Sequence, residues 1–296
     1  MKQKTLKIGM LALLFHFFPL QGHTHLKKNS IKERDDLSSR IVGFYLRPPG
    51  VPYSQFNLCT GTFLDGQTIL TAAHCWRSSS PPTKEELKDH LLHVSGRDRI
   101  SKIDLQKSFI TKRFSLHIHP EYNRVLKLND LMIIKLEDMR FKFTDPPPLL
   151  SIKNSLNWAE PYFFEGFGFI RRIQGNILQI KRPLIIRLDR EKMETLKDIF
   201  KTQKGIYASR AKLYFNHSIE KPRDKSTLIC YGDSGGPVYS RHSDGTLEIL
   251  AVASAFTVGE EKKGKKKKYN RSCSNQNGSV HYWVYPHLDW ITSFLN

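Results

Sequence analysis

Three short segments hold residue types that together can perform acyl transfer. The first is Gly232-Asp233-Ser234-Gly235-Gly236-Pro237. Glycines on both sides of a serine permit a tight turn that presents the hydroxyl and leaves backbone N–H groups open to a developing oxyanion. The second is Thr71-Ala72-Ala73-His74-Cys75, where a histidine ends an apolar run. An imidazole suits general-base work because its unperturbed pKa is about 6.5. The third is Asn129-Asp130-Leu131-Met132-Ile133-Ile134, where an aspartate enters an apolar strand. Such a carboxylate is costly to bury without a partner, and a histidine N–H is a natural one. Taken singly, each segment has an ordinary structural explanation: a glycine-rich hairpin turn, a core histidine, an acidic strand cap.

The 296 residues suffice for a large single domain or two small ones, and 39% hydrophobic with 25% charged residues is a globular composition. Lys2, Lys4 and Lys7 precede an apolar run from Ile8 to Leu20, followed by Gly22, which reads as a signal peptide over 1–22. The run is interrupted by His16 and Pro19 and is shorter than the roughly 20 residues a spanning helix needs. No later segment reads as a membrane span, so a secreted product, extracellular or periplasmic, is expected. Residues 23–40 are polar and lack apolar periodicity, as an exposed leader does. From Ile41 onward, short apolar segments alternate with turn residues. Strands are expected over 57–64, 68–73, 91–94, 131–136, 161–169, 177–180 and 248–255, a pattern of an all-β barrel or sandwich. Helices are expected at Asp189–Thr202 and around Leu288, Ile291 and Leu295, and Asp145–Pro148 with its three prolines reads as the linker between two halves. Cys59, Cys75, Cys230 and Cys273 make two disulfides the default for an exported chain, and four cysteines allow three pairings. No Cys/His spacing calls for a metal, and no cofactor is implied.

With all three segments in the order His, Asp, Ser, residues 41–296 resemble the chymotrypsin/trypsin-like serine protease family. His119-Pro120-Glu121-Tyr122-Asn123, Gly166-Phe167-Gly168 and the approach from Val284 to Ile291 add to the likeness. The resemblance implies two antiparallel Greek-key β-barrels, about 41–145 and 149–296, closed by a C-terminal helix. It implies that Ser234 attacks the peptide carbonyl, that His74 takes and returns the proton, and that Asp130 orients the imidazole. The N–H groups of Gly232 and Ser234 would form the oxyanion hole. The cysteines would pair as Cys59–Cys75 and Cys230–Cys273. Ser39-Arg40-Ile41-Val42-Gly43 looks like the family's activation junction. Cutting after Arg40 would free the Ile41 ammonium to pair with Asp233 and order the backbone at Gly232, making residues 23–40 a propeptide and requiring an activating protease.

The same resemblance assigns the primary specificity pocket to Leu228, Ser254, Ala255, Phe256 and the region of Gly278 and Ser279. Leu228 stands where Arg/Lys-specific members carry aspartate, so small or medium apolar side chains of protein or peptide substrates are expected. The segment Thr257–Ser272 holds Lys262, Lys263 and Lys265–Lys268, part of a net charge of +19, and a polyanion contact through this loop is a further expectation. Asn216, Asn270 and Asn277 each begin a glycosylation sequon. Two other classes compete with the enzyme: a binding protein on a protease scaffold, to which Phe256 and the long loop would suit a blocked site, and a polyanion binder. The intact triad favours the enzyme.

Overall fold

The computed structural model describes residues 38–50, 58–76, 82–96, 99–100, 109–125, 128–137, 140–153, 162–173, 176–180, 182–188, 212–216, 229–258 and 276–295. The chain divides into units Met1–Asp36 and Leu37–Asn296. All described residues belong to the second. The expected signal peptide and most of the leader, the helix at 189–202, Leu228, Cys273 and the lysine tract lie outside them.

The strands run in chain order as β1 (Ile41–Arg47), β2 (Cys59–Phe63), β3 (Thr68–Thr71), β4 (Leu91–Ser95), β5 (Arg99–Ile100), β6 (Phe109–Thr111), β7 (Phe114–Ile118) and β8 (Met132–Leu136). Past the prolines come β9 (Leu149–Leu150), β10 (Tyr162–Gly166), β11 (Phe169–Ile173), β12 (Asn176–Ile180) and β13 (Arg182–Leu188). The last are β14 (Lys212–Asn216), β15 (Pro237–Arg241), β16 (Leu247–Val258) and β17 (Gln276–Trp283). One seven-stranded antiparallel sheet takes the order β6-β4-β1-β2-β3-β8-β7. Its two edges share one core: Leu92 and Val94 from one side meet Phe114, Leu116 and Ile134 from the other, so the sheet is rolled. The second sheet runs β15-β10-β13-β14-β17-β16-β9, and pairing of β15 with β16 closes six of its strands into a ring. A small third sheet, β11-β12-β5, joins the halves. The fold is therefore all-β, two barrels with a short terminal helix. Asp145–Pro148 falls between the last strand of the first sheet and the first of the second.

Sequence pattern explains most of these elements. Met132-Ile133-Ile134 is fully buried on both faces, as expected for a central strand of β-branched and apolar residues. β1 was not expected as a strand, because its first residues read as an activation end; yet Ile-Val followed by Phe-Tyr-Leu has the composition that fits a pleated, buried surface. Strand 68–73 stops at Thr71 and turns into a 3₁₀ turn at Ala73–Cys75. A short helix α1 (Lys84–Leu87), unforeseen, is started by a capping box in which Thr83 and Glu86 satisfy each other's backbone N–H.

The two sheets meet across an apolar seam. Leu70, Leu131 and Ile133 of the first half pack with Ile249, Val252 and Tyr282 of the second, and Ile291 of helix α2 (Leu288–Thr292) joins them. A 3₁₀ turn, Tyr285–His287, leads into α2. Beyond the helix, the Phe294 carbonyl accepts a 2.8 Å hydrogen bond from Lys135 Nζ on β8, and Trp290 lies over His119. His287 Nδ1 sits 3.1 Å from His119 Nε2, both rings buried.

Burial, with the neighbouring His119, holds His287 down at about 4. Burial also lowers His119, the Glu121 charge opposing it in part. An unfolded histidine titrates near 6.5. Between that pH and about 4 the unfolded chain therefore takes up a proton that the folded chain refuses, and stability is lost as pH falls. Melting temperature should decline over this window, and His287→Gln should flatten the decline; thermal melts from pH 4 to 8 measure both.

Candidate active site

Strand register brings the first two chemical segments together. β3 pairs antiparallel with β8 with Thr71 opposite Met132. Continuing past that pair brings Ala72 and Ala73 level with Leu131 and Asp130, and His74 follows directly, its backbone N–H on Asp130. The 3₁₀ turn then aims the imidazole inward, with Cys75 behind it bonded to Cys59 (Cα–Cα 6.2 Å). Cys230 is also disulfide-bonded, and its expected partner Cys273 lies outside the described residues.

Asp130 is completely buried. Its Oδ2 lies 2.7 Å from His74 Nδ1, its Oδ1 accepts the His74 backbone N–H at 2.8 Å, and Ser254 Oγ donates a third, very short bond to Oδ2. Asn129, just before it, adopts φ 48°, and its side-chain amide reaches the Glu121 carbonyl at 3.1 Å. The Asn residue tolerates that left-handed turn, which delivers the aspartate to the seam. Tyr122 and Tyr282 stand close enough for burial and the Asp130 charge to raise both phenols well above their usual value. Both phenols therefore stay neutral beside this carboxylate. The His74 side chain keeps 19% exposure, enough for solvent and substrate to reach it.

The loop around Ser234 is built from reciprocal backbone bonds. Gly235 N–H donates to the Ala253 carbonyl (2.7 Å), Ala253 N–H to the Gly236 carbonyl (2.8 Å), and Gly236 N–H to the Asp233 carbonyl (2.9 Å). Gly232 and Gly235 hold φ of 105° and 85°, where a side chain would be strained. A Cβ on Gly235 would also fall 2.0 Å from Thr71 Oγ1 and 2.2 Å from the Thr60 carbonyl. From β2, Thr60 N–H donates to the Ser234 carbonyl (2.7 Å) and Thr60 Oγ1 to the Gly232 carbonyl (2.7 Å). Ser234 is half-buried between these ties.

Two residues acquire roles that the sequence did not disclose. Ser254 was expected as a pocket wall, and its hydroxyl is spent on Asp130. Thr60 gave no signal, being one hydroxyl residue after a cysteine. Other pocket expectations are placed only in part: Ser279 is buried, its hydroxyl against His281 Nε2, and Phe256 is its cross-strand partner, while Ala255 is half-buried on β16.

The expected activation residues occupy a closed setting. Arg40 is 6% exposed, its guanidinium 4.6 Å above the Phe143 ring and its Nε donating to the Asp145 carbonyl at 3.0 Å. Ile41 is fully buried against Tyr239 and Leu247, and it opens β1 opposite Thr62. Asp233 Oδ2 accepts the Cys230 N–H at 2.7 Å. The Arg40–Ile41 bond thus sits inside the fold of the uncut chain. Among the described residues no helix is long and apolar enough to cross a membrane, and no cluster of His, Cys, Asp and Glu is arranged for a metal.

Comparison with known proteins agrees with this geometry. The trypsin family model matches residues 41–179. Mannan-binding lectin serine protease 1 of Rattus norvegicus is 26% identical over 249 residues, 80% of this chain but 32% of that protein. The chain thus spans about a third of that relative's length. Trypsin II-P29 of Gallus gallus is 25% identical, covering 85% of this chain and 88% of its own. In structure, neuropsin, a serine protease expressed in the limbic system of mouse brain, superposes with a TM-score of 0.57 at 15% identity, over 88% of this chain and 96% of its own. The likenesses in sequence and in fold support a relationship to the chymotrypsin/trypsin-like serine proteases.

Two substitutions gauge the site. Asp130→Asn keeps the shape but takes the orienting charge from His74, a change that costs such triads about 10⁴ in turnover; initial rates on a peptide ester measure it. Gly235→Ala adds strain of about 1–3 kcal/mol to the clash with Thr60 and Thr71, and should lower the melting temperature as well as abolish turnover.

Proposed function

We propose that this chain is a secreted serine endopeptidase that cleaves protein or peptide substrates through an acyl-enzyme. The carrying observation is the fully buried Asp130, bonded at once to His74 and Ser254. A carboxylate so placed is expensive unless it serves the imidazole it holds. In this reading His74 Nε2 removes the proton of Ser234 Oγ as the oxygen bonds to the substrate carbonyl carbon. The resulting oxyanion is met by the N–H groups of Gly232 and Ser234, and His74 then returns its proton to the leaving amine. Water, deprotonated by the same imidazole, releases the acyl group in the second half.

The basic, apolar start of the chain supports export, and a second disulfided cysteine besides Cys59–Cys75 suits an oxidising compartment. Leu228, where Arg/Lys-specific relatives place an acid, favours small or medium apolar side chains at the scissile residue. The Lys262–Lys268 loop offers acidic substrates or polyanions a contact. Arg40-Ile41-Val42-Gly43 supports a precursor matured by an activating protease. Burial of that same bond favours a second reading, a catalyst competent before any cut.

A fluorophosphonate, which bonds to the activated serine with loss of fluoride, should label the wild-type protein once at Ser234 and leave Ser234→Ala and His74→Ala unlabelled. Failure to label any form would return the chain to a binding role. A peptide-library profile should show cleavage after small or medium apolar residues, and cleavage chiefly after Arg or Lys would refute the specificity assignment.

A further inference from the structure

We infer that Thr60 is a positioning residue that holds the oxyanion loop in working shape while the Arg40–Ile41 bond is intact. The inference rests on the protease reading above. Thr60 is fully buried and makes four hydrogen bonds with three segments. Its N–H binds the Ser234 carbonyl and its hydroxyl donates to the Gly232 carbonyl, both at 2.7 Å. The same hydroxyl accepts the Phe167 N–H at 3.0 Å, tying in the loop that follows β10. Its carbonyl accepts Thr71 Oγ1 at 2.7 Å, just before the His74 turn.

Those bonds grip the two residues whose N–H groups would stabilise the oxyanion. The Gly232 carbonyl anchors the peptide plane that leads into Asp233 and the Ser234 carbonyl the plane that leaves Ser234, so both donor residues are tied to β2. Gly232 keeps the φ of 105° that only glycine holds at little cost. The anchor belongs to a rigid element, because Thr60 lies opposite Gly43 of β1, and Cys59 beside it is in the disulfide behind His74. None of it requires a new chain end.

The other side of the inference is the state of the junction. Ser38 Oγ and Ser39 N–H both bind Asp145 Oδ2, at 2.8 and 2.6 Å, and Arg40 lies over Phe143. Glu165, fully buried, receives Tyr239 Oη at 3.1 Å and the Ser38 N–H at 3.4 Å. To send Ile41 elsewhere, its pairing with Thr62 and that of Val42 with Gly61 would have to break, loosening β1 next to Thr60 itself. A cut after Arg40 would thus disturb the element that carries the anchor.

The experiment uses full-length chain whose intact Arg40–Ile41 bond is confirmed by mass spectrometry. It follows fluorophosphonate labelling and the acylation burst with p-nitrophenyl acetate. Uncut wild type should react, and Thr60→Val, equal in shape without the hydroxyl, should acylate about 10²-fold more slowly with little change in KM, the loss expected from a small misplacement of the oxyanion donors. Thr60→Ser should recover most of that loss, which a purely packing role for the side chain would not produce. Labelling that appears only after cleavage at Arg40 overturns the inference and leaves the protease reading standing. No labelling in either form overturns the protease reading itself. A folded Thr60→Val that acylates at the wild-type rate removes Thr60 from the machinery; should that variant not fold, the reactivity of uncut wild type decides.

Discussion

The structure turns on one carboxylate buried out of reach of solvent. Asp130 is buried at the meeting of two sheets, a position that costs several kcal/mol for a charge unless it is fully paired. Its partners come from opposite halves: His74 from the turn after β3, Ser254 from β16. Neither half can satisfy it alone. The seam of Leu131, Ile133, Val252 and Tyr282 around it excludes solvent and strengthens the bonds that remain. Assembly of the two halves and the chemistry of the histidine are therefore one event, because the ion that orients the ring is stable only in the assembled seam.

Register carries this constraint outward. Sliding β3 against β8 by one residue would turn every buried side chain of Met132–Ile134 to the opposite face and move His74 off Asp130. The buried apolar run resists the slip, so packing in the first sheet protects a distance in the active site. The loop around Ser234 is held in a comparable way: its carbonyls and N–H groups bond to β2 and β16 as well as to one another. Glycine supplies the backbone angles, and neighbouring strands supply the constraint.

Fold class and the placement of the motif segments were legible in the sequence to different depths. The three motif segments could be read because acyl transfer needs unusual residues at close quarters, and the long apolar strands β8 and β16 because burial on both faces leaves a continuous apolar run. β1 was obscured, since Arg-Ile-Val-Gly carries a motif meaning that competes with its strand composition; only pairing to β2 and β4 on both sides reveals it as interior. Thr60 and Ser254 could not be found at all. A hydroxyl has the same sequence appearance on a solvated strand as at the hub of a site, and what distinguishes these two is whom they face across the sheet. The C-terminal helix was foreseen from its apolar spacing, whereas the histidine pair beneath it joins positions 168 apart.

That helix has a consequence in time as well as in space. Residues 285–295 return from the second barrel to lie on the first, with Ile291 in the seam and the Phe294 carbonyl on Lys135 of β8. A ribosome delivers every strand before it delivers this segment. Ile249, Val252 and Tyr282 can cover Leu131 and Ile133 beforehand, but the seam lacks Ile291, and β8 lacks the Phe294 carbonyl on Lys135, until this segment arrives. A chain ordered this way completes the seam beside its buried carboxylate last among the described elements.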